Sequence, residues 1–312
     1  SGLISGSSLV PQDPASKPGV HVVARRLPDN PIISPATDPS IGTNINGPTL
    51  VKVPLWAKDP LGKYYLYFAD HNGKYIRLAY SDKVEGPYKV YAPGVLPLAS
   101  SYFTDHIASP EVVINEPSHQ FRLYYHGLTP EERSQHTRVA LSTNGRDFAA
   151  IKEPVGKGSA YWRLIKRDDW WVALAMPGKL LRSKDGITPF EIGPQLFPTS
   201  PTQVHNALLV RGNVLHVFYT RAGDKPEHIL HSQVALNGDW TRWKPTDGED
   251  VLLPETPWEG ADLPLTAGII GAVNNRIRAL RDPAIFQDGG KTYLLYAIAG
   301  ESGIGIAELT FD

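Results

Sequence analysis

The feature that most constrains this chain is a strand-like run that occurs five times, each copy rich in aromatic and β-branched residues and ending in small or polar ones. The copies are Tyr64-Tyr65-Leu66-Tyr67-Phe68-Ala69-Asp70, Phe121-Arg122-Leu123-Tyr124-Tyr125-His126-Gly127, Trp170-Trp171-Val172-Ala173-Leu174-Ala175, Leu215-His216-Val217-Phe218-Tyr219-Thr220-Arg221 and Thr292-Tyr293-Leu294-Leu295-Tyr296-Ala297. Runs of this composition bounded by Gly, Asn, Asp and Pro read as strands, and helical periodicity is hard to find anywhere in the sequence. A repeat decides the architecture before any single strand does. Five copies predict five like units.

Each copy is preceded by a shorter apolar strand whose start aligns across the units: Asn46-Gly47-Pro48-Thr49, Ala108-Ser109-Pro110-Glu111, Ala160-Tyr161-Trp162-Arg163, Val204-His205-Asn206-Ala207 and Arg281-Asp282-Pro283-Ala284. Proline is tolerated at the first residues of a strand because no ladder bond is lost there. A third strand follows each copy, and Gly86-Pro87, Asn144-Gly145, Asp185-Gly186 and Asn237-Gly238 read as turns into a fourth, outer strand. Four such turns serve five units, while Val20-His21-Val22-Val23-Ala24 is a strand without a unit. The expected fold is therefore all-β, a five-bladed β-propeller whose last blade is closed by the N-terminal strand, a closure that leaves few open edges. Residues 1–18, rich in Ser, Gly and Pro, are expected to be a flexible segment, and 19–312 a single domain. The competing architecture is a β-sandwich with coincidental internal similarity.

With 31 Lys and Arg against 32 Asp and Glu, the net charge of -1 speaks against a nucleic-acid or anionic membrane partner and for a neutral or small one. No cysteine is present, which excludes disulfides and thiolate metal sites. His126 and His136 flank a loop with Glu131 and Glu132, but at no metal-binding spacing, so no metal site is expected there. No signal peptide stands in the sequence as given. Export to the periplasm or the outside is the working expectation, and the oligomeric state is not legible.

Gly62-Lys63-Tyr64-Tyr65-Leu66-Tyr67, Ser81-Asp82 with Gly86-Pro87-Tyr88, and Ile107-Ala108-Ser109-Pro110-Glu111-Val112 together resemble glycoside hydrolase family 43 and its five-bladed relatives, families 32, 62 and 117. The resemblance implies a carbohydrate-cleaving propeller with its pocket on the axis, no required cofactor, and room for a structural calcium near that axis. In the family an Asp-Pro in blade one supplies the base, a Pro-Asp-like segment in blade two tunes pKa, and a Glu in blade three is the acid. Here blade one has Asn46-Gly47-Pro48 and blade three Tyr161-Trp162-Arg163. Glu111 alone matches in place, as Glu for Asp.

Residues i and i+2 on a strand share a side, so the second and fourth positions of the aligned starts are expected to converge around the axis. This gathers Glu111, Arg163, His205 and Asp282 from four units. Asp282 is assigned as base or nucleophile, Glu111 as acid or its tuner, and His205 as an alternative proton donor, with Asp70 or Glu301 able to stand in for either carboxylate. Substrate contacts are expected from Asp70, His71, Arg163, Trp162, Tyr161, Asn46, His126, Arg221 and Glu301, with Trp162 as a sugar-stacking platform. The long segment 247–278 is expected to overhang the pocket and offers Glu255, Glu259 and Asp262 as lesser candidates. The leading function is an exo-acting glycoside hydrolase on a furanoside or modified plant or algal sugar. A non-catalytic carbohydrate-binding propeller and a polysaccharide lyase, using His205 or Tyr161 beside Arg163, are the alternatives.

Overall fold

The computed structural model describes residues 19–312; the segment 1–18 read above as flexible lies outside them. The outer strand of the fifth blade is β1 (Val22–Arg26). Blade one comprises β2 (Asn46–Lys52), β3 (Tyr64–Ala69), β4 (Tyr75–Ser81) and β5 (Lys89–Pro97), and blade two β6 (Thr104–Asn115), β7 (Gln120–Leu128), β8 (Gln135–Ser142) and β9 (Ala149–Ala150). Blade three holds β10 (Ala160–Arg167), β11 (Trp170–Met176), β12 (Lys179–Ser183) and β13 (Glu191–Gln195), and blade four β14 (Gln203–Arg211), β15 (Val214–Arg221), β16 (Ile229–Ala235) and β17 (Glu249–Leu252). Blade five runs β18 (Arg281–Asp288), β19 (Lys291–Ala297), β20 (Ile304–Phe311), then β1. All five sheets are antiparallel, and the inner strands β2, β6, β10, β14 and β18 neighbour one another in cyclic order. This is a five-bladed β-propeller. No helix of the described residues is long and apolar enough to cross a membrane.

The two-residue alternation of each second strand explains the stacking. In β3, Tyr65 and Tyr67 pack with Phe121, Leu123 and Tyr125 of blade two, whereas Leu66 and Phe68 pack with Phe286 and Leu295 of blade five. Both faces of a blade are apolar because both are covered. The core accordingly divides into five clusters, one between each adjacent pair of blades. Polar pins fix the stack: Tyr67 Oη donates to Gly145 O of the blade-two turn at 2.6 Å, and Tyr124 Oη to Gly186 O of the blade-three turn at 2.6 Å. At both turns φ is near +80°, and an added Cβ would strike Phe121 or Trp171. Glycine is required there.

The ring closes as its sequence predicts. β1 pairs with β20 from Val22 against Phe311 to Arg26 against Ala307, and His21 and Asp312 exchange two further backbone bonds. Blade four departs from expectation: Asn237-Gly238-Asp239-Trp240 leads into a 3-10 turn, Trp240–Arg242, and the outer strand forms only at Glu249. The cause is packing, since Trp240 is buried against Gly193 of blade three and must leave the sheet path to get there.

Candidate active site

Every inner strand skips register against its neighbour at the aligned start, between Asn46 and Thr49, Ala108 and Glu111, Ala160 and Arg163, Gln203 and Asn206, and Arg281 and Ala284. These are bulges, which bend a strand and re-aim a side chain. At four of the five the second residue sits in the left-handed region: Gly47 (φ 63), Ser109 (φ 52), Tyr161 (φ 59) and Asp282 (φ 48). Only glycine enters that region freely, so three of these backbones are held in a costly conformation by their surroundings. Such strain gathers at functional sites. The five second residues, Gly47, Ser109, Tyr161, His205 and Asp282, line a narrow axial pocket.

Asp282 is the carboxylate of this pocket. Its Oδ2 accepts from Gly47 N at 2.9 Å, and its Oδ1 lies 2.9 Å from His205 Nε2. Burial alone would raise the carboxyl pKa, but His205, Arg281 and the Gly47 N–H outweigh it and hold Asp282 well below the usual carboxylate range. The other His205 nitrogen, Nδ1, lies 3.4 Å from Thr220 Oγ1. Tyr161 meets the His205 ring edge to face at 5.0 Å and lies 4.6 Å from the His126 ring. His126 is buried with Nδ1 unpartnered, and burial together with neighbouring imidazoles pushes its pKa down to about 3, so it is neutral.

The fourth residues of the starts form a separate layer. The Arg163 guanidinium donates to the carbonyls of Pro48 and Pro283 at 2.9 Å each and of Asn206 at 3.0 Å, closing the pocket at its floor. Glu111 accepts from Arg163 Nη1 at 3.3 Å, Leu164 N at 3.0 Å and Thr49 Oγ1 at 3.2 Å. Both Glu111 oxygens are thus engaged and the residue is not part of the pocket wall. Glu111, expected as the acid or its tuner, stands against Arg163 as a counter-ion, and burial raises its carboxyl pKa against the pull of that guanidinium.

A second polar cluster lies outside the residues that line the pocket. His71 Nδ1 lies 2.9 Å from Glu301 Oε1, and Glu301 Oε2 accepts from Asn44 Nδ2 and Val273 N. Burial lowers the His71 pKa, but Glu301 and the more distant Asp282 overcome this and raise it. Behind them Arg281 is fully buried, bonded to Glu227 at 2.7 Å and to the carbonyls of Ile269 and Gly271. Residues 268–273 therefore lie across the blade-five start. The segment 247–278, expected to overhang the pocket, supplies none of the residues that line it, and is tied to the end of blade four, where Gly223 N donates to Gly268 O and Gly268 N to Asp224 O.

Other expected contacts are placed elsewhere. Asp70 closes a turn, accepting from Asn72 N at 2.9 Å and facing Arg77. Trp162 is 3% exposed, wedged between Tyr124 and Phe190 with Nε1 on Ser159, so its indole has no open face for a sugar and the stacking role is corrected to interblade packing. Asn46 is buried and donates to Asn44 Oδ1, and Arg221 pairs with Asp224 away from the axial pocket. Of the carboxylates in segment 247–278, Glu255 is an exposed partner of Arg26, Asp262 is exposed, and Glu259 is fully buried on Arg26 and Tyr296. Asn44 and Glu227 were not singled out from the sequence. Both lie in loops outside the aligned columns, and only the irregular length of those loops hinted at them. Among the described residues no group of three or more His, Cys, Asp or Glu side chains converges as a metal site.

No protein-family model matches the chain. Among solved structures, a family-43 β-xylosidase/α-arabinofuranosidase from a compost microbial metagenome, in complex with xylotriose and in a calcium-free form, is similar over 92% of this chain and 96% of that one, with a TM-score of 0.64 at 12% identity. A family-43 enzyme of Xanthomonas citri complexed with xylose matches over 86% of this chain and 88% of that one, with a TM-score of 0.61 at 11% identity. At such identities the likeness is one of fold, and the fold is that of the family-43 propellers. In sequence the chain is 35% identical to an uncharacterized protein of Acanthamoeba polyphaga mimivirus, across 91% of this chain and 89% of that protein. The chain belongs to the same family as that mimivirus protein.

Proposed function

We propose that the protein is a glycoside hydrolase that acts on a terminal sugar unit in the axial pocket. One observation carries this reading: a carboxylate, Asp282, is buried at the foot of a blind pocket and held ionised by a backbone N–H and an imidazole. Glycosidic cleavage needs one group charged and another protonated at the same pH. Asp282 fills the first role, as the base that activates water or as the nucleophile. His71 fills the second, since Glu301 favours its imidazolium; with Nδ1 held by Glu301, the Nε2 proton is the one left for the leaving oxygen. His205 orients Asp282, and Tyr161 with neutral His126 walls the site. A pocket closed below by Arg163 admits a chain end, which favours exo action. The xylose and xylotriose held by the two structural neighbours favour a pentose-bearing oligosaccharide.

A second reading, a sugar-binding propeller without turnover, is favoured by the engagement of both Asp282 oxygens within the protein. Turnover of aryl pentosides separates the two. The wild type is expected to turn over, Asp282→Asn to lose at least about a thousandfold, and His71→Gln to lose less on substrates with good leaving groups than on poor ones. Because the His71 pKa is raised, the rate should fall on the alkaline side as that proton leaves, and Glu301→Gln should move this fall to lower pH. Equal turnover by wild type and Asp282→Asn sinks the assignment, and oligosaccharide binding without turnover establishes the second reading.

A further inference from the structure

We infer that Arg163 is a built-in axial cation that ties the blades together in place of a metal ion. The carbonyls of the third residues of four strand starts, Pro48, Pro110, Asn206 and Pro283, converge on one side chain. A guanidinium carries five N–H groups in a planar fork. Nε donates to Asn206 O at 3.0 Å, Nη1 to Pro110 O at 3.4 Å and to Glu111 Oε1 at 3.3 Å, and Nη2 to Pro48 O and Pro283 O at 2.9 Å each. Every donor has an acceptor. The acceptors come from blades one, two, four and five, so a single blade-three residue is bonded to all the others.

The chemistry leaves no vacancy for the calcium that the family resemblance allows. Calcium needs six to eight oxygens at about 2.3–2.6 Å. Here the axial carbonyls are already accepting from a cation that fills the space between them. A divalent ion beside the guanidinium would face its charge, and the nearest anion, Glu111, is bonded to Arg163, Leu164 N and Thr49. His205, the imidazole nearest the axis, has Nε2 on Asp282 and Nδ1 toward Thr220. Charge neutrality is reached within the chain, by Arg163 with Glu111, and the blade-to-blade connection becomes covalently attached to one strand.

The test reads melting temperature and metal content, so it stands apart from whether the pocket is a glycosidase. Purified protein is expected to hold no stoichiometric metal by mass spectrometry and to melt at the same temperature in EDTA and in calcium chloride. One tightly held metal ion per chain, or a melting point lowered by EDTA and restored by calcium, overturns the inference. Arg163→Lys keeps the charge but loses the fork, and is expected to melt well below the wild type; equal melting overturns the inference as well. In Arg163→Ala, millimolar methylguanidinium is expected to raise the melting point while leaving the wild type unmoved. An equal response of the two proteins counts against it.

Discussion

Arg281 and Glu227 face each other at 2.7 Å with neither side chain exposed to solvent. Removing one partner of a buried pair costs about 3–5 kcal/mol when the other charge is left uncompensated, whereas replacing both by apolar groups is often near neutral; Arg281 keeps a second anion, Glu301 Oε1 at 3.6 Å, which places the loss at the low end of that range. Glu227→Ala is therefore expected to lose stability of that order in chemical denaturation, and Glu227→Leu with Arg281→Met to lose less than either single change. If the double variant is worse than both, the pair contributes more than mutual compensation.

Asp282 links stability to acidity. Its folded pKa lies below that of the unfolded chain, so its contribution is fully present above the unfolded value of about 3.9 and is lost as pH falls toward the folded one. Melting points of wild type and Asp282→Asn should keep a constant gap above about pH 5, and the gap should close progressively as pH falls from about 4 toward the folded pKa. A gap independent of pH would mean that the ionised form is not what the pocket holds.

Trp162 should matter for stability in proportion to its burial. Truncation to Ala is expected to cost about 3–5 kcal/mol, and Trp162→Phe distinctly less, since Phe still fills part of the space between Tyr124 and Phe190. Calorimetry decides this, and a Trp162→Ala protein as stable as wild type would restore the indole to the sugar site.

Glu259 anchors the segment 247–278 near its start. It is fully buried, paired with Arg26 at 2.8 Å, bonded to Tyr296 Oη at 2.9 Å and accepts from Thr256 N at 3.3 Å. Glu259→Gln should loosen the segment that carries the exposed Leu265, Ile269 and Ile270. Limited proteolysis is expected to cut the variant there sooner than the wild type, and equal rates would show that the bonds of Arg281 to Ile269 and Gly271 suffice to hold it.

The architecture was legible because its signal is repeated: five second strands, their aligned starts and the unpaired strand at Val22 each report the same closed ring. The depth of the site was not. Alternation correctly brings Arg163 and Glu111 to the axis, yet a bulge at every strand start divides second from fourth positions, a displacement that Ser109, Tyr161 and Asp282 show only through their positive φ. Asn44, Glu227 and the partners of Arg281 come from loops of unequal length, where no periodicity operates. Trp162 was misread because a tryptophan at a strand start looks the same in sequence whether its ring faces a pocket or the next blade.

The pairing of β1 with β20 also sets a schedule for synthesis. β1 leaves the ribosome before every other described strand, and its partner is the latest of them to be made. Through the growth of four blades the chain thus carries an edge with open backbone groups, exposed to pairing with the wrong strand or with another copy. Folding of the ring can end only when its two ends meet, so the slow step of biogenesis should be this late docking, with the highest risk of aggregation just before it.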